Sequence, residues 1–251
     1  MSAKPSRRSR RKEKQTQDTP VSPLLSPIQR MVLVVAGGLV FLWLMSLSFQ
    51  AGMGTLFVYL SDQILENKLP LAANRSEQYN VYKDALYMLE RADRWAPDHP
   101  DYLFKMGNLH MRMASSSNAA KRRVAHYGKS IHYYQKINGI RPSWGYPWVN
   151  QAMAKFRLGE DVVGIEKDME RANVFAPLEP GVQLGVVRLG YRIWDKLSSE
   201  MRKQVQASGD RLFAKPLQRN KLLSEAKKMG RWDEIERLTR QDPQLRLQWM
   251  Q

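Results

Sequence analysis

Cysteine is absent from the 251-residue chain, histidine occurs only four times, and 24 acidic residues stand against 40 basic ones. The first absence excludes disulfides, thiolate metal sites, cysteine nucleophiles and processing to a lipoprotein. The scarcity of histidine thins the supply of metal ligands and general bases. His99, His110, His126 and His132 stand in no His-x-x-x-His or Glu-x-x-His arrangement, so a metal site would need distant segments to converge. A surface or structural role is expected for each. Neither a nucleophile elbow nor a phosphate-cradling glycine loop occurs. Ser115, Ser116 and Ser117 fall in a loop-like insertion with no partner base nearby in sequence. Carboxylate neighbours such as Glu160-Asp161 and Asp233-Glu234 point apart on a helix or serve as caps. The chain reads as a non-enzyme that needs no metal and no cofactor.

Charge is missing from one stretch altogether. Met31–Phe49 is 19 residues without a charged side chain, and no later segment has such a run. Roughly 20 apolar residues at 1.5 Å rise cross a hydrocarbon core of about 30 Å. The run is too long and too bulky for the apolar core of a cleaved signal, and Ser48-Phe49-Gln50-Ala51 is a poor cleavage site. An uncleaved anchor is therefore expected over a signal peptide. Residues 1–30 hold eight basic and two acidic residues, a net of +6, whereas residues 61–75 are net neutral. The positive-inside rule places the N-terminus in the cytoplasm and the following chain outside. In a two-membrane bacterium the outside is the periplasm, and the protein is a single-pass protein of the inner membrane. The divisions expected are a basic, disordered cytoplasmic tail at 1–27, a transmembrane helix at 28–52, a juxtamembrane stalk at 53–75 and a periplasmic domain at 76–251. The proline- and serine-rich TPVSPLLSP is a linker, and Pro27 suits the first turn of the membrane helix. Where the uncharged extension up to Ser61 changes from membrane helix to stalk is open.

Beyond residue 76 strand-like alternation is absent and β-branched residues are sparse, while apolar residues fall three and four apart. Tyr82, Ala85, Leu86, Leu89 and Ala92 share one helical face, and Pro97 stops that helix. Ala85, Leu89, Ala92 and Pro97 match positions 20, 24, 27 and 32 of the 34-residue tetratricopeptide pattern. Leu103, Met106 and Gly107 open a second unit. After the insertion Ser115–Arg123, that unit closes with Ser130, Tyr134, Ile137 and Pro142. A third unit runs through Trp148, Ala152 and Gly159 and, shifted by one residue, Met169, Ala172 and Pro177. Small residues at the close-approach positions let paired helices meet, and a large residue fills the gap beside them. Further helices are expected over 182–194 and 199–208, capped by Ser198 or Ser199. After a break near Gly209-Asp210 and Pro216, two more follow over 220–229 and 231–240. The fold class is all-α: one transmembrane helix followed by a tetratricopeptide-like α-solenoid of about five helix pairs.

Net charge is +16, of which +10 lies beyond the N-terminal 30 residues. Such an excess favours anionic partners: phospholipid headgroups, an acidic polysaccharide or an acidic protein face. An exported location argues against nucleic acid. Within the tail, SRRSRRKEK is a topology signal with some attraction for anionic lipid. The aromatic cluster Trp144-Gly-Tyr146-Pro-Trp148 has two readings. In one, Trp144 and Tyr146 stack on sugar rings or grip a peptide. In the other, Trp148 is an ordinary core residue while Trp144 and Tyr146 pack the turn between repeats. Lys121, Arg122 and Arg123 read as a solvated loop or as a contact for an anionic partner. These five residues, Trp144, Tyr146, Lys121, Arg122 and Arg123, are the candidate contacts for a partner or glycan.

Three segments, residues 90–102 (ERADRWAPDHPDY), 141–148 (RPSWGYPW) and 170–184 (ERANVFAPLEPGVQL), together with the late AKKMGR at 226–231, carry a family resemblance. In this layout the chain resembles the VpsP-type polysaccharide-biosynthesis proteins of gammaproteobacteria, which are membrane-anchored. The resemblance implies a pathway, extracellular polysaccharide assembly, and brings no catalytic residues. Three functions are then expected. The first is an accessory scaffold that docks on a polysaccharide polymerisation or export complex through protein–protein contacts. The second is a general anchored periplasmic chaperone or assembly factor, and the third is a direct glycan-binding module.

Overall fold

The computed structural model describes residues 26–250, all helical apart from short connections, with no strand among the described residues. The basic tail and most of the Pro/Ser linker, residues 1–25, lie outside the described residues. The chain divides into a unit ending at Ser48 and a unit running from Phe49.

Helix α1 spans Pro27–Lys68. Its start is a reciprocal cap: Gln29 N–H donates to Ser26 Oγ and Ser26 N–H to Gln29 Oε1, with Pro27 supplying the fixed φ of the first turn. The helix is long and apolar enough to cross a membrane, and the most apolar part of it has no buried residue. An α-helix that is apolar on every side and packed by nothing suits a hydrocarbon solvent. At 1.5 Å per residue its 42 residues reach roughly 63 Å, twice what a bilayer core requires.

The surplus is not a stalk. From about Met53 the helix becomes one-sided: Gly54, Phe57 and Ser61 are buried, and Phe57 packs with Ala92 and Tyr102. Asp62 accepts from the Lys105 ammonium through both carboxylate oxygens at 2.6 Å. Residues 53–68 therefore form the first packed helix of the second unit. A 3-10 turn at Leu69–Leu71 and the Asn74 cap, whose side chain accepts from Ser76 N–H and Glu77 N–H, turn the chain into α2.

Ten helices follow: α2 (Arg75–Trp95), α3 (Pro100–Ser116), α4 (Ala120–Ile140), α5 (Gly145–Leu158), α6 (Val162–Phe175), α7 (Pro180–Arg192), α8 (Ser199–Phe213), α9 (Pro216–Lys228), α10 (Trp232–Thr239) and α11 (Pro243–Met250). The connections are short, which makes neighbours antiparallel. Each helix from α2 onward touches its successor. The stacking extends to alternate helices, α5 to α7, α7 to α9 and α6 to α8. Besides the small Phe57 cluster, two larger apolar clusters hold the unit together. One joins α2, α3 and α4 through Leu89, Leu103, Met106, Tyr134 and Ile137. The other joins α5 to α10 through residues such as Met169, Leu189, Leu212 and Ile235.

The pattern residues sit where close packing needs them. Ala85, Ala92, Ser130, Ala152 and Ala172 are fully enclosed. Gly107 faces the Tyr134 ring so closely that a Cβ there would lie 2.8 Å from a ring carbon. Helix stops fall as the prolines and glycines require, with α2 ending two residues before Pro97 and Gly159 closing α5 at φ 76°.

Four expectations are corrected. The insertion at 115–123 is mostly helix, because α3 runs to Ser116 and α4 starts at Ala120, so Lys121, Arg122 and Arg123 occupy the first turn of α4. Helix α8 does not break at Gly209-Asp210. There Gly209 and Leu212 are buried and Asp210 is held by Arg237 at 2.7 Å, so packing offsets the low helix propensity of glycine. Helix α9 begins at Pro216, a residue that suits a first turn, rather than at Asn220. The final helix, α11, has no counterpart in the sequence expectation.

Candidate functional site: an arginine-lined groove

Neighbouring helices leave an open groove of about 630 Å3 lined by six basic side chains. Its cations are Arg75, Arg112, Arg157, Arg188, Arg192 and Lys228, and its one carboxylate is Glu225. Four helices deliver most of them in the same way. Arg112, Arg157, Arg192 and Lys228 sit at or near the C-terminal ends of α3, α5, α7 and α9. Alternate helices of an antiparallel stack point their C-termini to one side, and the partial negative charge of a helix C-terminus favours a cation there.

Only part of this charge is neutralised. Arg188 donates from Nε and Nη2 to the two oxygens of Glu225 at 3.0 Å, a bidentate pair, and Lys228 reaches the same carboxylate at 3.4 Å. Burial pushes the Glu225 carboxyl up, but the hydrogen bonds and charge of Arg188, with Lys228, outweigh it and hold the group below its ordinary value. Arg75, Arg112, Arg157 and Arg192 have no ion-pair partner among the described residues. Arg192 is the most constrained: its Nε is shielded from water without an acceptor. Burial, then the charges of Arg157 and Arg188, depress its affinity for the proton. Unneutralised guanidinium groups suit carboxylate, phosphate or sulfate oxygens chemically.

The residues singled out in the sequence lie at two ends of α4, a helix of 21 residues and roughly 30 Å. Lys121, Arg122 and Arg123 are exposed at its start. Arg123 is tied to the Asn118 carbonyl at 3.1 Å, and Arg122 lies over the ring of Tyr79, one turn before the groove residue Tyr82. The aromatic pair follows the other end. Trp144 packs against Phe104 with centroids 4.6 Å apart, beneath Arg141. Tyr146 donates its hydroxyl to Glu179 at 2.7 Å and lies over Gly181. Trp148 is buried and donates its indole N–H to the Pro142 carbonyl at 2.8 Å. The groove cations were not anticipated. The signal that could have found them is the recurrence of basic residues toward the C-terminal end of every second helix from α3 to α9.

His110 of α3 and His126 of α4 meet with their Nδ1 atoms 2.9 Å apart, and Tyr79 Oη lies 3.0 Å from His126 Nε2. The chain of bonds closes with both rings neutral when Tyr79 donates to His126 and His126 donates to His110. Burial, then the neighbouring His126 and Lys129, lower the His110 pKa to about 3. Among the described residues no group of three or more potential metal ligands gathers. Asp233 and Glu234 go to separate partners, Arg231 and Arg237, and so do not form an acid–base pair.

The class that fold and site define is an all-helical protein with one candidate transmembrane helix and a groove lined by basic side chains. No protein-family model matches the chain, and no curated protein matches it.

Proposed function

We propose that the protein is a single-pass scaffold of a bacterial inner membrane, with its N-terminus cytoplasmic and a tetratricopeptide-like solenoid in the periplasm. It docks on an extracellular-polysaccharide polymerisation or export complex by holding an acidic partner in the arginine groove. The observation that carries this reading is the groove itself, where four guanidinium groups without carboxylate partners share one cavity. The long apolar helix and its basic flank support the anchored, outward-facing arrangement. The pathway rests on the resemblance to VpsP-type proteins. Anchoring confines the groove to the membrane surface and raises its effective concentration near membrane-embedded enzymes.

The test is a photo-crosslinking residue at Met153, on the groove wall, in the full chain expressed in its own cell. Crosslinks to a polymerase or export component, lost on Arg157→Glu, are expected. Recovery of many unrelated unfolded proteins would instead point to a general chaperone. A second reading, direct binding of acidic polysaccharide, is favoured by the same excess of positive charge. It requires that Trp144→Ala with Tyr146→Ala abolish polysaccharide binding in a folded protein.

A further inference from the structure

Resting on the docking reading above, we infer that the occupant of the groove is a peptide segment in which carboxylates alternate with apolar side chains. Guanidinium forks pair with planar carboxylates through two parallel hydrogen bonds, as Arg188 already does with Glu225. Arg112 and Arg157 repeat that donor near the ends of α3 and α5, and Arg192, one turn beyond Arg188 on α7, has a shielded Nε with no acceptor. The groove needs several acidic groups in a row rather than one anion. From α5 to α9 there are two helix spacings, roughly 16–20 Å. About five or six extended residues cover that distance, whereas a single phosphate or sugar does not.

Charge alone would suit a polyuronate equally well, and the rest of the lining decides between them. Met111, Met153 and Met229, all half-buried, stand among the arginines in the same cavity. Methionine is flexible and polarizable, and it moulds itself to apolar side chains of varied shape. A sugar ring instead seeks a flat aromatic face. The one aromatic residue in the lining, Tyr82, is 8% exposed, and Arg112 lies over its ring. Trp144 and Tyr146 have their rings against Phe104 and Gly181 and are not in the groove. Arginine between methionine pockets matches glutamate or aspartate between leucine-like side chains.

The full-length protein in nanodiscs of zwitterionic lipid is titrated against three probes, read by fluorescence anisotropy. These are a labelled peptide of about ten residues with leucines spaced among glutamates, the same peptide with serine for leucine, and a labelled oligouronate of equal charge. The leucine peptide is expected to bind about tenfold more tightly than either control. Arg112→Glu and Arg157→Glu, both at exposed positions, should each weaken it about tenfold, and Met153→Gln should erase its advantage over the serine peptide. An oligouronate that binds as tightly as the leucine peptide overturns the inference about the occupant and leaves the groove as a docking site. Binding of all three probes unaffected by either charge reversal overturns the groove reading as well.

Discussion

His110 is 2% exposed, and its ring rests against His126 and, in a parallel stack 5.6 Å away, against Tyr133. Its pKa falls from 6.5 to about 3 because burial disfavours the imidazolium and His126 and Lys129 repel it. The unfolded chain takes up a proton near pH 6.5 while the folded one stays neutral down to about pH 3. Stability is therefore full above pH 6.5 and declines as the pH drops toward 3. At pH 5 the loss from this one side chain is about 2 kcal/mol. Urea unfolding of the full-length protein in detergent micelles should show a lower midpoint at pH 5 than at pH 7. His110→Gln should flatten that difference, and an unchanged pH slope in the variant would rule out His110 as its source. None of this was legible in the chain. His110 and His126 are 16 residues apart on different helices, and no local spacing announces such a pair.

At the level of the element, α1 carries two environments on one unbroken helix. Lipid-compatible residues run from Met31, and a one-sided packing face holds Gly54, Phe57 and Ser61. Phe57 lies against Ala92 and Tyr102 with the Arg91 guanidinium 4.5 Å from its ring centre. Phe57→Ala should destabilise the folded unit by about 3–5 kcal/mol, as measured by chemical unfolding. A free stalk at 53–75 would lose almost nothing. The apolar run was legible because hydrophobic length is a property of consecutive residues. The packed end was not, since Phe57 and Ser61 acquire their meaning only from α2 and α3. Likewise the α8 break expected at Gly209-Asp210 is overridden by the burial of Gly209 and Leu212 and by Arg237 of α10, which holds Asp210. Glycine propensity is a local tendency, and tertiary packing outweighs it.

For the whole molecule, topology decides whether the groove meets an exported pathway at all. The chain has no cysteine, so each engineered thiol is unique. Ser143→Cys, exposed between α4 and α5, should react with a membrane-impermeant maleimide on intact spheroplasts. Ser9→Cys, among the N-terminal arginines, should react only after permeabilisation. The opposite labelling pattern would put the arginine groove in the cytoplasm and remove the link to extracellular polysaccharide.

The sequence alone determined the properties written in neighbouring residues: one membrane-length apolar run, helix periodicity of three and four, and stops at proline and glycine. The small residues that later proved enclosed, among them Ala85, Ala92 and Ala172, were also marked by local spacing. Only the tertiary structure decided the site. Arg112, Arg157, Arg192 and Lys228 are separated by 35 to 45 residues each, and in the chain they look like ordinary surface charge. They become one groove because antiparallel stacking brings the C-terminal ends of alternate helices to the same side.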